Sequence, residues 1–358
     1  MWTEVVLENF LKCRGGETMR QNIKEIYDHL GDGTSREIYA DRLLFSLTQD
    51  RRYMTNIIKK TALYQRLYQI LRNDSHSKYI ASAGQWGRIT ADLFQEFGFS
   101  GMIDNHVTGS YKKLPIMSVK EFAENVSDGT VYIASTSFHA DFCQMLKEAG
   151  IQEERIVDVT GRMLAVYHHQ QYFDLPFLQE QKEEHEIFVD GGCYDGENSR
   201  MFAKWAGNAQ KTVYAFEPDQ NNLRICQSVL ADIDGISYKL IPKGLWSRDE
   251  MLDFCANANE GSRFCSDGEA RIPVTSLDAV IDGKVTFIKM DIEGAEYEAL
   301  TGAERLIRSY KPKLAISVYH KAEDIWELPG LLLSFHSKYT FYLRHYSLSS
   351  EETVLYAI

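Results

Sequence analysis

The spacing of apolar and polar residues changes character along the chain. Up to about residue 75, apolar residues recur at helical intervals, clearest between Leu43 and Leu71, and no strand-like alternation competes with them. We therefore predict a helical N-terminal region over residues 1–75. From Lys78 onwards, short apolar runs alternate with amphipathic segments, which is typical of parallel strand–helix–strand units and predicts an α/β fold.

The first block of this alternation predicts a smaller Rossmann-like α/β module over residues 76–160. Its strands are expected within residues 78–84, 99–105, 130–136 and 155–159, with helices between them. The segment Pro115–Asn125 predicts a short turn followed by a helix. Residues 161–185 are polar and rich in aromatic side chains, and we interpret them as a linker.

A second block predicts a larger module over residues 186–358. Five strands are expected, within residues 187–190, 213–218, 238–244, 286–291 and 314–319. Two further apolar runs between Met251 and Thr275 predict an inserted hairpin, and two at the end of the chain predict a terminal antiparallel hairpin. The helix expected over residues 295–310 has one apolar face that should pack on the sheet: Ala299, Leu300, Ala303, Leu306 and Ile307.

Composition and net charge argue against some classes of binding partner. The 358 residues are 44% hydrophobic and carry a net charge of −12, which argues against a general nucleic-acid or membrane-surface binder. No apolar run approaches the length of a membrane span, and the start of the chain lacks the features of a signal peptide. The six cysteines form no C-x-x-C pair, so we expect reduced thiols and a cytoplasmic protein.

Glycines cluster where the first strand of the second module should turn into a helix. The pattern is Asp190-x-Gly192-x-x-x-Gly196, whereas the dinucleotide fingerprint is G-x-G-x-x-G. A glycine turn lets a ligand approach the backbone closely, and an acid beside it suits an ammonium or a sulfonium better than a pyrophosphate. The alternative is that each glycine only permits a tight turn.

An acid also ends the next predicted strand. Glu217 follows Gly196 by 21 positions and is placed to accept both hydroxyls of a ribose, which fits NAD and S-adenosylmethionine alike. Between these two cofactors, Asp190 favours S-adenosylmethionine. Three more acids, Asp291, Glu293 and Glu296, follow the fourth strand, at the edge where open α/β sheets bind ligands. The alternative is that Asp291 caps the following helix and that Glu296 lies on a solvated helix face.

Several stretches, taken together, resemble the FkbM-type methyltransferase family. The order and spacing of FVDGGCYDG, AFEPD, KMDIEGAEYEALTGA, ISVYH and the final YLRHYS and ETVLYA carry the resemblance, which covers Glu186–Ile358. It implies the class I S-adenosylmethionine-dependent fold, with seven strands and the last one antiparallel, and methylation of hydroxyls on sugars or polyketide-type products. Cys193 and Tyr194 depart from the small residue and asparagine common in the family turn, and Asp195 is more polar than usual.

The resemblance and the strand-end acids together predict an O-methyltransferase acting on a sugar or glycan precursor, with a nucleotide-linked sugar as one candidate acceptor. Asp190, Gly192, Gly196, Glu217 and Asp291 are the expected cofactor-binding residues. A general base should help a hydroxyl to react, and Asp291 and His320 are the candidates. Glu293, Glu296, Arg344 and His345 are the candidate substrate-binding residues. An acidic cluster can hold a hard cation, but we expect no metal.

The first module carries a weaker motif, with Ser82, Gly84 and Gly87 in a G-x-G-x-x-G-like turn and Asp104 at the end of the next strand. It indicates either a nucleotide or nucleotide-sugar site or a structural turn. An alternative function is therefore an NAD(P)-dependent oxidoreductase acting on a nucleotide-linked sugar. The helical region suggests a possible homo-oligomer, although no heptad pattern is sustained.

Overall fold

The computed structural model describes residues 16–163, 171–255, 263–264 and 270–358. These residues divide into two compact units. One contains the described residues up to Tyr53 together with Tyr172–His345 and Glu352–Ile358, and the other contains Met54–Gln171 and Tyr346–Glu351. No helix in the described part of the chain has both the length and the apolar composition needed to cross a bilayer.

Helices precede the first strand, as the apolar spacing predicted. They are α1 (Gly16–Asp28), α2 (Gly33–Thr48), α3 (Arg51–Lys59) and α4 (Ala62–Asn73). Asp32 caps α2 by accepting a hydrogen bond from the Ser35 backbone N–H at 2.7 Å, a contact that typically stabilises a helix by about 1 kcal/mol.

The second unit contains a six-stranded sheet. Its strands are β1 (Ser77–Ala81), β2 (Gly101–Ile103), β3 (Gly109–Tyr111), β4 (Leu114–Met117), β5 (Gly129–Ile133) and β6 (Ile156–Asp158). The spatial order is β3-β4-β2-β1-β5-β6, and every pair is parallel except β3 with β4. The associated helices are α5 (Gln85–Leu93), α6 (Val119–Asn125) and α7 (His139–Glu148).

The hairpin of β3 and β4 corrects the sequence interpretation of this sheet. We predicted a turn before the helix at Val119, but Leu114–Met117 is a strand that pairs with β2 and with β3. The strand is only four residues long and contains Pro115, so it lacks the apolar alternation that identifies a strand in sequence.

A seven-stranded sheet forms the centre of the first unit. Its strands are β7 (His185–Gly191), β8 (Gln210–Phe216), β9 (Ile236–Ile241), β14 (Phe287–Met290), β15 (Lys313–Ser317), β16 (Phe341–His345) and β17 (Thr353–Ala357). The spatial order is β9-β8-β7-β14-β15-β17-β16, and β17 is antiparallel to both of its neighbours. This order and the terminal antiparallel hairpin confirm the predicted class I methyltransferase architecture.

The helices of this sheet follow its strands. They are α8 (Pro176–Glu180), α9 (Glu197–Ala206), α10 (Gln220–Ala231), α11 (Leu277–Val280), α12 (Glu296–Thr301), α13 (Glu304–Tyr310) and α14 (Asp324–Phe335). The predicted helix over residues 295–310 is two helices, α12 and α13, which meet near Gly302. A Cβ at Gly302 would lie 2.2 Å from the Trp246 carbonyl oxygen, so this position excludes any larger residue. The predicted apolar face is nevertheless fully buried.

The predicted insertion is a small sheet of four strands. Its members are β10 (Gly244–Leu245), β11 (Glu250–Cys255), β12 (Arg263–Phe264) and β13 (Ala270–Thr275), in the order β10-β13-β11-β12. The antiparallel pairing of β11 with β13 confirms the expected hairpin. Most of its polar loop lies outside the described residues.

Candidate active site

Four neighbouring parallel strands of the seven-stranded sheet end on the same edge. They are β8, β7, β14 and β15, and their carboxyl ends are followed by Glu217, Gly192, Asp291 and the segment that carries His320. Open parallel sheets bind ligands at this edge. The fold therefore places most of the predicted site residues within one region, although they are far apart in sequence.

The glycine turn after β7 needs its glycines for steric reasons. Gly192 has a φ of +71°, and a Cβ there would lie 2.0 Å from the Asp291 carbonyl oxygen. Gly196 has a φ of +84°, and its Cβ would lie 3.1 Å from Cys226 Sγ. Close approach of the strand ends thus requires glycine, independently of any ligand.

The unusual cysteine of this turn packs beneath it. Cys193 and Cys226 are both buried as free thiols, with their Sγ atoms 3.2 Å apart. The contact with Cys226, together with burial, raises the pKa of the Cys193 thiol far above its ordinary value. We therefore regard the pair as a packing contact between the turn and α10.

Asp190 lies beneath the same turn, beside a cation that the sequence interpretation missed. Its side chain is fully buried, and its Oδ1 lies 3.3 Å from Lys289 Nζ. Lys289 also donates hydrogen bonds to the carbonyl oxygens of Gly191 and Gly192, at 3.1 and 2.8 Å. Burial disfavours the ammonium, but Asp190 and Asp291 outweigh this effect and raise the pKa of Lys289. The only sequence signal was a lysine inside an otherwise apolar strand.

Glu217 links the turn to the end of β8. Its Oε2 accepts a hydrogen bond from the Tyr194 backbone N–H at 3.1 Å, and its Oε1 accepts one from the Asp219 N–H at 2.8 Å. Burial raises the pKa of this carboxyl. A carboxylate offers about four acceptor positions, which is more than these two backbone bonds and the Asn222 side chain occupy.

Asp291 is the most heavily contacted acid at this edge. Its Oδ2 accepts a hydrogen bond from the Tyr172 hydroxyl at 3.0 Å, and its Oδ1 accepts one from the Tyr319 hydroxyl at 3.1 Å. Burial alone would raise the pKa of this carboxyl, but Lys289, His320 and the two hydroxyls lower it below its ordinary value. Asp291 is therefore an anion whose two oxygens are held in fixed positions.

His320 faces three carboxylates. Its Nε2 lies 3.4 Å from Asp291 Oδ1 and 3.6 Å from Glu293 Oε2, and its Nδ1 lies 3.0 Å from Glu296 Oε1. Burial opposes protonation of the imidazole, but Glu296 and the other two acids outweigh it and raise the pKa of His320 to about 9. An imidazole with this pKa is mostly protonated on both nitrogens at pH 7, which makes it a weak general base there, and the role of His320 as the base stays a prediction.

Arg344 and His345, two of the predicted substrate-binding residues, each pair with another side chain. Arg344 Nη2 lies 2.7 Å from Asp32 Oδ2, so its guanidinium pairs with the capping residue of α2. His345 is buried, and its Nδ1 lies 2.9 Å from Thr353 Oγ1 on the neighbouring strand. Their proposed substrate role stays a prediction, because these contacts alone explain both side chains.

The glycine turn that follows β1 in the six-stranded sheet is also closely packed. A Cβ at Gly87 would lie 1.8 Å from the Ser82 carbonyl oxygen, so close packing of the turn requires this glycine. Gly84 meets only Ser82 Oγ, at 3.2 Å. Asp104 accepts hydrogen bonds from the backbone N–H groups of Ala83, His106 and Val107, at 3.0, 2.9 and 3.0 Å.

A comparison with known families matches part of the chain. Residues 190–344 fit the model described as the Methyltransferase FkbM domain, which confirms the resemblance found in the C-terminal half of the sequence. None of the curated proteins is similar enough to the chain to count as a match.

Solved structures similar to this chain include a methyltransferase FkbM from Methylobacillus flagellatus KT, with 22% identity and a TM-score of 0.49 over 91% of this chain and 99% of the other. An rRNA methylase from Streptococcus thermophilus has 18% identity and a TM-score of 0.32, covering 51% and 90% of the two chains. Aeropyrum pernix fibrillarin, solved with bound S-adenosyl-L-methionine, has 12% identity and a TM-score of 0.33, covering 53% and 75%.

Proposed function

Residues 190–344 are an FkbM methyltransferase domain, and from this premise we propose that the protein transfers the methyl group of S-adenosylmethionine to a hydroxyl of a sugar or glycan precursor. The observation that carries the proposal is the arrangement of acids at adjacent strand ends. Glu217 follows β8, and Asp291 follows β14, on either side of the glycine turn that follows β7.

The methyl donor would bind across this turn. Glu217 retains acceptor positions for the ribose hydroxyls, and Gly192 and Gly196 allow the donor to lie against the backbone. Asp190 was expected to contact the cationic part of the donor. Since Asp190 is fully buried beside Lys289, we propose that it supports the site by fixing the carbonyl groups of the turn through that lysine.

The reaction would be an in-line displacement. The bond from sulfur to the methyl group breaks, a bond from the acceptor oxygen to the methyl carbon forms, and S-adenosylhomocysteine leaves. Because the donor is already activated, positioning of the oxygen supplies much of the acceleration. Asp291, held by Tyr172 and Tyr319, would orient the hydroxyl and accept its hydrogen bond as the proton leaves.

The class of acceptor is supported by the chemistry of the rim. Glu293 is about half exposed and Asp291 is partly exposed, so both present carboxylate oxygens to a ligand beside the methyl donor. Carboxylates at fixed spacing accept hydrogen bonds from adjacent hydroxyls, which suits a sugar. Either a free or a nucleotide-linked sugar satisfies this chemistry.

Binding of S-adenosylhomocysteine to matched variants tests the donor site. Glu217→Gln removes the charge of the proposed ribose acceptor, and Asp104→Asn makes the same change at the corresponding position of the six-stranded sheet. We expect calorimetry to show a loss of affinity of about 10–100-fold for Glu217→Gln, because a hydrogen bond to a charged group is worth about 1.5–3 kcal/mol. Asp104→Asn should bind like the wild type. Equal affinity in Glu217→Gln and wild type would rule out this donor site.

Mass spectrometry identifies the acceptor class. The purified protein is incubated with S-adenosylmethionine and a panel of free and nucleotide-linked sugars. We expect one class to gain 14 mass units, the difference made by replacing a hydrogen with a methyl group, at a position stable to mild base, as an ether is. A methyl ester or N-methyl product would contradict transfer to a hydroxyl. The oxidoreductase alternative instead predicts that NAD or NADP raises the melting temperature.

A further inference from the structure

Three groups converge where β14 and β15 end, and we refer to them as the Asp291–Glu296–His320 cluster. One ligand atom from each residue lies within 4.8 Å of the others. Asp291 Oδ1 is 3.4 Å from His320 Nε2, whereas Glu296 Oε1 is 3.0 Å from the other ring nitrogen, Nδ1, and a shared ion would use one of these two nitrogens. Two carboxylates and an imidazole are ligands that divalent transition-metal ions accept.

Glu296 gives an independent reason to expect a ligand. Its side chain is fully buried, and among the described residues its Oε2 has no hydrogen-bond partner. Oε1 of the same carboxylate accepts a hydrogen bond from the Ile292 N–H at 2.9 Å and faces His320. A buried carboxylate oxygen without a partner is costly, because nothing replaces the water that it lost.

The imidazole does not satisfy this carboxylate well. His320 is 9% exposed, and neither ring nitrogen meets the geometry of a hydrogen bond with a described residue, although both lie near carboxylate oxygens. Lys289 is not available to the cluster either, because its ammonium contacts Asp190 and the carbonyls of the glycine turn. Short distances without hydrogen-bond directions are what a set of ligands around a shared ion would show.

We propose that the Asp291–Glu296–His320 cluster binds a divalent transition-metal cation such as Mn²⁺, through one atom of each residue. Binding displaces a proton from the His320 side chain, because a metal ligand must offer an unprotonated nitrogen. Ligand atoms about 2.1 Å from a cation lie roughly 3–4.2 Å apart, so a small movement of the side chains closes the observed spacing. The Tyr172 and Tyr319 hydroxyls hold Asp291 in place, as outer hydrogen bonds do for metal ligands.

This inference rests on the proposed function and deepens it. A cation at this edge lies where the acceptor hydroxyl is expected, beside Asp291. As a Lewis acid it lowers the pKa of a bound hydroxyl, which eases loss of the proton during methyl transfer. The site departs from the expectation of no metal, because His320, distant in sequence, supplies the nitrogen ligand.

Titration with Mn²⁺ alone tests the site. The full chain is stripped with a chelator, and Mn²⁺ binding is followed by electron paramagnetic resonance and calorimetry. We expect about one bound ion in the wild type. Glu296→Gln, which keeps the acceptor for the Ile292 N–H, and His320→Gln should each weaken binding about 10–100-fold. Glu298→Gln, on the same helix but outside the cluster, should bind Mn²⁺ like the wild type.

Measurements on the wild-type protein decide the interpretation if a variant folds poorly. In the wild type, bound Mn²⁺ should broaden the NMR signals of the His320 imidazole before those of the distant His336. Absence of saturable Mn²⁺ binding to the wild type overturns the proposal, as does equal binding by Glu296→Gln or selective broadening elsewhere. In those cases the imidazolium of His320 alone occupies the cluster.

Different measurements test the proposed donor site and the proposed cation site. Binding of S-adenosylhomocysteine depends on Glu217, whereas binding of Mn²⁺ depends on Glu296 and His320. Loss of the first with retention of the second would remove the proposed methyl transfer but leave a metal site. The reverse result would leave a methyltransferase that works without a cation.

Discussion

The two parallel sheets of this protein present the same local motif with different surroundings. In each, a strand runs through a glycine turn into a helix, and an acid ends the neighbouring strand. Asp104 lies 17 positions after Gly87, the last glycine of its turn, and Glu217 lies 21 positions after Gly196 in the seven-stranded sheet. Read as sequence, the two edges are close analogues.

The two acids, Asp104 and Glu217, differ in the number of backbone N–H groups that donate hydrogen bonds to them. Asp104 accepts three backbone hydrogen bonds, two of them from its own loop. Glu217 accepts two backbone hydrogen bonds, and its third contact is the Asn222 side chain. Among the described residues of the unit with the six-stranded sheet, no lysine is buried, whereas the edge beside Glu217 has the buried charged residues Asp190, Lys289 and Glu296, with the partly exposed Asp291 beside them.

The difference shows what separates a structural turn from a candidate site. Close packing explains glycines in both turns, since Gly87 and Gly192 would each meet a backbone oxygen near 2 Å. Charged groups buried at the strand ends have no such explanation, because their desolvation is unfavourable. A buried lysine among carboxylates, rather than the glycine pattern or a buried acid alone, makes the seven-stranded edge the candidate site.

Removal of the buried lysine should give the largest effect. Lys289→Met leaves Asp190 buried without its cation, and we expect the free energy of unfolding to fall by about 3–5 kcal/mol. Lys78→Met is the matched change in β1 of the other sheet, where the lysine only bonds to the carbonyls of Asp74 and His76. It should cost about 1 kcal/mol or less. Urea denaturation with hydrogen exchange of β14 and β1 measures both.

A double variant checks that charge is the cause. Adding Asp190→Asn to Lys289→Met removes the uncompensated carboxylate, so part of the lost stability should return. If the double variant is as unstable as the sum of the two single variants, then packing rather than charge holds Lys289 in place.

The sequence predicts the seven-stranded sheet well because its strands are apolar and its turns contain glycine. Both terminal strands and the inserted hairpin occur as expected. The edge strand Leu114–Met117 was missed because it is short and contains Pro115. The break of the 295–310 helix was missed, because the packing of Gly302, where the two helices meet, is against Trp246, which is remote in sequence.

The candidate site was only partly accessible from the sequence. Asp190, Glu217 and Asp291 could be selected because each follows a predicted strand at the ligand-binding edge. Tyr172 gave no signal, since it lies in a segment interpreted as a linker and reaches Asp291 only in the folded chain. The partners of Arg344 and His320 likewise come from separate segments, and spacing along the chain carries no information about such contacts.

The buried carboxyl of Asp324 predicts that the stability of the protein depends on pH. Burial at the start of α14 raises the pKa of this carboxyl to about 7, despite the hydrogen bond that it accepts from the Lys321 N–H. A raised acid pKa stabilises the fold at low pH, and this contribution is lost as pH rises from about 4 through about 7. Relative to Asp324→Asn, the wild type should therefore lose about 3 kcal/mol between pH 4 and 8.

Thermal unfolding of both proteins across this pH range measures the difference. Asp104→Asn, at the edge of the six-stranded sheet, serves as the comparison, because its carboxylate accepts three backbone N–H groups. A stability difference between wild type and Asp324→Asn that stays constant from pH 4 to 8 would contradict the raised pKa.

The smallest effect is expected at two exposed aromatic rings, one at each edge. Tyr194 is 63% exposed and donates its backbone N–H to Glu217, while Phe138 is 61% exposed before α7 of the other sheet. If the donor lies over the turn, Tyr194 can cover its adenosine, and an aromatic contact is worth about 0.5–1.5 kcal/mol. Tyr194→Ala should thus weaken S-adenosylhomocysteine binding about two- to tenfold, while Tyr194→Phe and Phe138→Ala should not. Equal affinity in Tyr194→Ala and wild type would place the adenosine away from this ring.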